Sequence, residues 1–68
     1  MIMAKEVKKT EKGNTYIILQ DSPSTFHLSV QIGDYVSYDF LDTPPSLEYI
    51  QQHIIQLESE LEEKINSI

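Results

Sequence analysis

The side chains of this sequence that could do chemistry are mainly carboxylates. Among 68 residues there are 11 Asp or Glu, five Lys and two His, and the formal net charge is −6 at pH 7. Cys and Arg are both missing from the sequence. Disulfides and cysteine-based zinc sites are therefore excluded, as is bidentate recognition of phosphate or guanine by a guanidinium group.

The other residue types that could support catalysis or metal binding do not form a motif. His27 and His53 are far apart in the sequence, whereas a zinc site needs three or four ligands held tetrahedrally. Asp39 and Asp42 could be neighbours, but acid–base pairs need two different environments, and no second layer that could form a pocket is predicted. There is no G-x-S-x-G turn and no glycine-rich phosphate loop. We therefore expect no enzymatic activity, metal, cofactor or small-molecule substrate.

The charge pattern and the absence of long apolar runs narrow the classes of partner. Residues 1–12 contain four lysines and two glutamates, a net of +2, whereas residues 13–68 contain nine acids and Lys64, a net of −8. A field of one sign favours positively charged partners, so direct nucleic-acid binding is not expected for residues 13–68. With no signal-peptide pattern and no apolar run near 18 residues, we expect a cytoplasmic protein without a membrane partner.

Turn signals divide the chain into four predicted strands that precede one helix. Clusters of Gly, Pro, Asp, Asn and Ser mark turns because these residues adopt or stabilise turn backbone conformations. The first strand is weak, and its lysines suit the edge of a sheet. The third is the clearest, since apolar and polar residues alternate along it. The predicted strands are residues 3–10, 15–20, 25–32 and 35–41.

The turn at Gly33 and Asp34 sets which side of the fourth strand meets the core. A two-residue type II′ turn would place Asp39 opposite Leu28, on the apolar face. A three-residue loop instead pairs Leu28 with Phe40 and brings the alternating apolar residues of the fourth strand to the core. Because burial specifies register, we expect the longer loop, with Asp39 in solvent.

Residues 46–67 are predicted to form one long amphipathic helix. Pro44 and Pro45 precede it, and either Thr43 or Ser46 could cap its first turn. About 21 residues at roughly 1.5 Å each give about 31 Å, whereas a seven-residue strand spans roughly 23 Å. The apolar residues that recur at spacings of three and four are Leu47, Ile50, Ile54, Leu57, Leu61, Ile65 and Ile68. The predicted fold is thus a single α+β domain, residues 1–68, with a small antiparallel sheet of three to four strands and one C-terminal helix (β-β-β-β-α).

The length and apolar surface of this helix favour self-association. The helix should overhang the sheet, and it carries more apolar surface than one sheet face needs. A chain this short also buries only about 60% of its surface when it folds alone. We therefore expect a homodimer in which the helices, or helix and sheet, pack across a two-fold axis. The predicted interface residues are Ile54, Ile55, Leu57, Leu61 and Ile65.

Acidic residues of the last hairpin and the helix are the predicted partner-binding site. Glu58 and Glu62 have like charge at positions i and i+4, which costs a few tenths of a kcal/mol. Four glutamates in the last two turns also oppose the helix macrodipole, and Lys64 offsets only part of this cost. Charges that destabilise their own helix are expected where function selects the residues. The set is Asp34, Asp39, Asp42, Glu48, Glu58, Glu60, Glu62 and Glu63.

These class features resemble those of the small acidic DNA-mimic inhibitors encoded by bacteriophages. The shared features are a short chain, no cysteine, an excess of acid over residues 34–63 and an expected dimer. Such inhibitors share no sequence motif and have many folds, so no individual residue carries over. The resemblance implies that carboxylates stand in for DNA phosphates and occupy the DNA site of a basic host protein, in the cytoplasm of the host cell.

Two other functions are compatible with the same residues. The chain could be a structural or assembly protein that oligomerises through its helix, with the acids only keeping it soluble. It could also be a small nucleic-acid-binding barrel, in which Tyr35, Tyr38 and Phe40 stack on bases, although Asp34, Asp39 and Asp42 lie among them.

Overall fold

In a computed structural model that describes residues 3–67, the chain forms one antiparallel sheet followed by one helix. The order of the strands in the sheet follows the chain, β1-β2-β3-β4. This confirms the predicted α+β arrangement, while Met1, Ile2 and Ile68 lie outside the described residues. The elements are β1 (Ala4–Lys9), β2 (Thr15–Ser22), β3 (Thr25–Ile32), β4 (Tyr35–Leu41) and α1 (Leu47–Asn66).

The core lies between one face of the sheet and one side of the helix. Leu28 and Val30 of β3 have no exposed surface, and they pack against Ile54 and Leu57 of α1. Leu61, one further turn along the helix, is also buried. The buried positions of α1 recur at spacings of three and four residues, as an amphipathic helix requires. Burial of such side chains contributes about 1.5–3 kcal/mol each to folding.

The register of β3 and β4 shows that our prediction of a longer loop was wrong. The two strands are joined by a two-residue turn at Gly33 and Asp34, so that Leu28 pairs with Asp39 and not with Phe40. Gly33 has a φ of +61°, and no non-glycine residue among 3–67 has a positive φ, which fits a type II′ turn. The geometry of the tight turn therefore overrides the apolar pattern of β4.

This register places the alternating apolar residues of β4 on the side of the sheet that faces away from the helix. Val36, Tyr38 and Phe40 are all exposed there. Asp39 lies on the helix side and is not a free solvent-facing carboxylate, because its Oδ2 accepts a hydrogen bond from His53 Nε2 at 2.8 Å. This hydrogen bond offsets the free-energy cost of partly burying the Asp39 carboxylate.

Ser46 is the residue that caps the start of the helix. It has an extended backbone, with φ −74° and ψ 159°, and its Oγ accepts a hydrogen bond from the backbone N–H of Tyr49 at 3.1 Å. Of the two candidate caps in the sequence, Ser46 is therefore the one used, and the helix begins at Leu47. At the other end, Ser67 donates its backbone N–H to the carbonyl groups of the last turn.

Removal of this cap gives a first testable prediction. Ser46→Ala should lower the free energy of unfolding by about 1 kcal/mol, because one backbone N–H of the first turn loses its acceptor. Thr43→Ala is the matched control, since Thr43 is exposed and lies before the double proline. Urea unfolding followed by circular dichroism measures both variants. Equal losses in the two variants would contradict the assignment of Ser46 as the cap.

Candidate protein-binding surfaces

Glu58 lies inside the fold, which corrects its prediction as a partner-binding residue. It is only 4% exposed, and its Oε2 accepts hydrogen bonds from Thr10 Oγ1 at 2.6 Å and from Asn14 Nδ2 at 2.7 Å. Thr10 and Asn14 belong to the β1–β2 turn, where the Thr10 N–H also donates to the Asn14 carbonyl at 2.7 Å. Two short hydrogen bonds to one carboxylate offset the cost of burying it. Glu58 therefore attaches the first hairpin to the helix.

Glu62 contacts the same hairpin on its solvent-exposed side. Lys12 Nζ donates to Glu62 Oε1 at 2.7 Å, with both side chains substantially exposed. This hydrogen bond, and then the charge of Glu62, raise the pKa of Lys12 above its ordinary value, with a smaller effect from the charge of Glu58. Because the pKa is raised, the contribution to stability is present at neutral pH and is lost only as the pH rises through the raised value.

Both histidines are bonded to aspartates, and neither approaches the other. His53 donates to Asp39, and its ring stacks on Tyr49 with a centroid distance of 5.2 Å. His27 lies on the opposite side of the sheet, where its Nε2 is 2.7 Å from Asp21 Oδ2. Each histidine therefore has a local carboxylate acceptor, and Asp39 serves a contact between β4 and α1.

The topology divides the remaining exposed acids between two ends of the molecule. In the antiparallel sheet, the β3–β4 turn lies at the same end as the β1–β2 turn, and β4 finishes at the other end. The helix starts beside the end of β4 and reaches the β1–β2 turn, which Glu58 contacts. Asp42 therefore lies near Glu48, whereas Asp34 shares an end with Glu60 and Glu63.

Three of these acids lie on the side of α1 that faces solvent, which we call the acidic helix face: Glu48, Glu60 and Glu63. At 100° per residue, Glu63 lies opposite the buried stripe, whereas Glu48 and Glu60 lie roughly 120° to either side of that stripe, and about 22 Å of helix separates Glu48 from Glu63. Glu60 accepts a weak hydrogen bond from Gln56 at 3.3 Å. Within residues 3–67, no lysine is at ion-pair distance from any of the three.

The predicted dimer interface on the helix is mostly used by the core of a single chain, which corrects that prediction. Ile54, Leu57 and Leu61 are each buried against the sheet, so none of them is available to a second copy. Ile65 is half-buried. Ile55 is 64% exposed, but it lies among polar residues of the helix.

The side of the sheet that faces away from the helix carries apolar residues that the sequence did not lead us to expect there. We call this the outer sheet face. In the middle of this face, Val7, Ile17, Ser29 and Tyr38 are neighbours across the four strands. His27 and Phe40 are neighbours in the adjacent row. The aromatic rings contact one another edge to face, with centroid distances of 4.5 Å for His27–Phe40 and 5.3 Å for Tyr38–Phe40. The apolar members of this face are Val7, Ile17, Leu19, Val36, Tyr38 and Phe40.

The part of the chain that the structure describes has few features of a small-ligand or metal site. Among residues 3–67, no group of three or more His, Asp or Glu side chains is placed to hold a metal ion. A shallow groove of about 220 Å³ runs between β1 and the segment before α1, smaller than the ~300–1,000 Å³ of typical ligand sites. A wider depression of about 380 Å³ at the end of the helix is open to solvent and is lined by Glu60, Glu63, Lys64 and Ser67. In the same residues, no helix combines the length and apolar character needed to cross a membrane.

Comparison with known proteins provides no relative from which a function could be transferred. No protein-family model, curated protein or solved structure matches this chain. The similarity to phage DNA mimics, which rests on size, charge and composition, stays a prediction. The function of the chain therefore has to be inferred from its own charges and exposed surfaces.

Proposed function

We propose that this protein is a small acidic binding module that occupies the basic DNA-binding surface of a partner protein, as a phage-type DNA mimic does. The observation that carries the proposal is the acidic helix face. Its three exposed carboxylates point away from the core along about 22 Å of helix. That length corresponds to about six base pairs of duplex DNA at roughly 3.4 Å each.

The separation of charges on the molecule supports this proposal. Lys5 and Lys9 lie on the outer sheet face, on the opposite side of the sheet from α1, and Lys12 is bonded to Glu62. A basic partner that approaches the helix therefore meets more carboxylates than lysines, since Lys64 beside Glu60 and Glu63 is the one lysine within α1, and Lys8 on the helix side of β1 is paired with Glu6. Such segregation steers association and makes it sensitive to salt.

Exposed acids outside the helix lengthen the negative surface at both ends. Asp42 lies at the end where Glu48 begins the helix, and Asp34 lies at the end where Glu60 and Glu63 finish it. All are exposed. The partner surface is thus expected to be elongated, as a groove that binds DNA is.

The helix itself is destabilised by the positions of these acids. Glu63 lies in the last turn, where the macrodipole disfavours negative charge by about 0.3–1 kcal/mol, and Glu60 lies in the turn before it, where this effect is weaker. Neither is offset by an ion pair within residues 3–67. Stability therefore does not account for their presence, whereas binding to a basic surface would.

A capture experiment with charge-matched variants tests the proposal. Wild-type protein, Glu60→Gln/Glu63→Gln and Glu6→Gln/Glu11→Gln are immobilised and exposed to the heparin-binding fraction of a bacterial lysate at low salt. The two double variants have the same net charge, but only the first alters the acidic helix face, since Glu6 and Glu11 belong to the first hairpin. Bound proteins are then eluted with duplex DNA.

We expect wild-type protein and Glu6→Gln/Glu11→Gln to retain the same DNA-binding protein, and duplex DNA to release it. The Glu60→Gln/Glu63→Gln variant should lose it, because each close charge pair across such an interface is worth about 1.5 kcal/mol or more. Equal retention by all three proteins, or retention that DNA does not reverse, would overturn the proposal.

A further inference from the structure

We propose that two copies of this chain associate through their outer sheet faces, with β1 of one copy packed over β4 of the other. This inference is independent of the proposed function, because it concerns the side of the molecule opposite the acidic helix face. It also differs from the dimer expected from the sequence, which placed the helix in the interface.

The outer sheet face exposes several large apolar side chains next to one another, among polar ones. An antiparallel sheet covered by a helix on one side commonly presents polar residues on the other. Here Tyr38 is 61% exposed and Phe40 is 57% exposed, at the β4 edge. Val7 is exposed at the β1 edge, and Ile17 lies half-buried between the two edges. A contiguous apolar patch of this kind marks an interaction site.

The charges on the molecule favour a second copy as the occupant of this face. When two outer sheet faces meet, the two acidic helix faces point outward on opposite sides of the dimer. Two molecules of net charge −6 therefore associate with their carboxylates far apart. Of the charged residues on the face itself, Asp21 is bonded to His27, while Lys5 and Lys9 lie along the β1 edge.

The lysines also select the orientation of the two copies. A two-fold axis parallel to the strands places β1 over β4 and keeps the cross-strand rows aligned, so Lys5 lies over Phe40 and Lys9 over Val36, and neither lies beside a lysine. A lysine over an aromatic face contributes about 0.5–1 kcal/mol when exposed. With the axis perpendicular to the strands, β1 would lie over β1, and four lysines would be brought together.

The size of the face indicates a reversible dimer. Four strands at about 4.8 Å spacing and roughly 23 Å length give about 440 Å² of flat area. A stable interface buries about 800 Å² on each partner, so this one is small, and it mixes apolar with polar side chains. We therefore expect a monomer–dimer equilibrium with a dissociation constant in the range of about 1–100 μM, near the weak end for specific complexes.

Sedimentation velocity over a concentration series tests the interface. The wild-type mass should rise from the 7.9 kDa of one chain toward twice that value. Tyr38→Ser/Phe40→Ser should stay monomeric, with a dissociation constant raised by at least about tenfold, since the two large aromatic contacts of β4 are lost. The matched control is Leu47→Ser/Ile55→Ser, two apolar residues on the helix that are 66% and 64% exposed. This control should dimerise like the wild type.

Three outcomes would overturn the proposal: a wild type that stays monomeric at all concentrations, equal dimerisation of both variants, or loss of the dimer only in the helix control. Val7→Lys is a second variant on the edge strand, and it should also weaken the dimer. A fluorescent oligothymidine at low salt tests the competing occupant, single-stranded nucleic acid. Binding that is lost in Tyr38→Ser/Phe40→Ser, from a wild type that is monomeric, would assign the face to nucleic acid.

Discussion

Leu28→Ala should lower the free energy of unfolding by about 2–5 kcal/mol, and it is the substitution that we expect to have the largest effect. Leu28 has no exposed surface and packs against Ile54 and Leu57 of the helix. Truncation removes the transfer free energy of three carbon atoms and leaves a cavity between sheet and helix. A domain of this length has a total stability of roughly 3–10 kcal/mol, so the variant should be substantially unfolded on mild warming.

Urea unfolding at fixed temperature, followed by circular dichroism, measures this loss. Leu47→Ala is the control of identical chemistry, because Leu47 is at the exposed start of the helix. Its stability should stay within about 0.5 kcal/mol of the wild type. Similar losses for both variants would contradict a core placed between β3 and α1.

Glu58→Ala should have the second largest effect, a loss of about 2–4 kcal/mol. The substitution removes two short hydrogen bonds to a charged acceptor, from Thr10 and Asn14, and hydrogen bonds of this kind contribute about 1.5–3 kcal/mol each. Because both donors lie in the β1–β2 turn, the first hairpin should lose its attachment to the helix. Amide hydrogen exchange should therefore become faster in β1 before it does so in β3.

Two further variants separate the buried role of Glu58 from its charge. Glu58→Gln keeps one oxygen that can accept from both donors, so its loss should be smaller than that of the alanine variant. Glu63→Gln removes an equal charge from the exposed side of the helix and should leave stability within about 0.5 kcal/mol of the wild type. If Glu58→Ala were no more destabilising than Glu63→Gln, Glu58 would be a surface carboxylate after all.

The elements of this fold could be predicted because local patterns are strong in three places. The alternation along β3 identified residues 25–32, which are the observed bounds of that strand. Tyr35–Leu41 was also predicted at its observed bounds. The spacing of apolar residues located the helix to within one residue at either end, since Ser46 and Ser67 are caps. For β3 and α1 the local signal also agrees with the tertiary contacts, whereas for β4 it gives the bounds of the strand but not the face that packs on the core.

The register of β4 could not be predicted from the same patterns. The residues of β4 point alternately to the two faces of the sheet, and we expected the more apolar set to face the core. The type II′ geometry of Gly33 and Asp34 instead fixes the pairing of Leu28 with Asp39. The sequence does not show that His53 compensates the Asp39 carboxylate, because the two residues meet only when the helix packs on the sheet.

Part of the candidate site could likewise be predicted from local sequence patterns, whereas the rest depends on tertiary contacts. The excess of acid was visible in the sequence, but its separation into exposed and internal carboxylates was not. Glu58 had one signal, because it follows Ile54 by four residues and precedes Leu61 by three, within the apolar stripe. Its partners in the β1–β2 turn lie far away in the sequence and carry no pattern that points to a helix.

The two proposed surfaces are compatible in one assembly. In a dimer formed by the outer sheet faces, the acidic helix faces stay fully exposed on opposite sides. Dimerisation then doubles the negative field without covering any carboxylate of the proposed binding site. Salt should therefore weaken partner binding much more than it weakens the dimer, whose interface contains no acidic helix face.

The measurement that tests the central claim most directly is a competition between this protein and DNA for the captured partner. Labelled duplex DNA is bound to the partner, and its fluorescence anisotropy is followed as wild-type protein or a double variant is added. Wild type and Glu6→Gln/Glu11→Gln should displace the DNA completely, and Glu60→Gln/Glu63→Gln should need at least about tenfold more protein. A ternary complex that keeps the DNA bound, or equal competition by the two double variants, would contradict DNA mimicry by the acidic helix face.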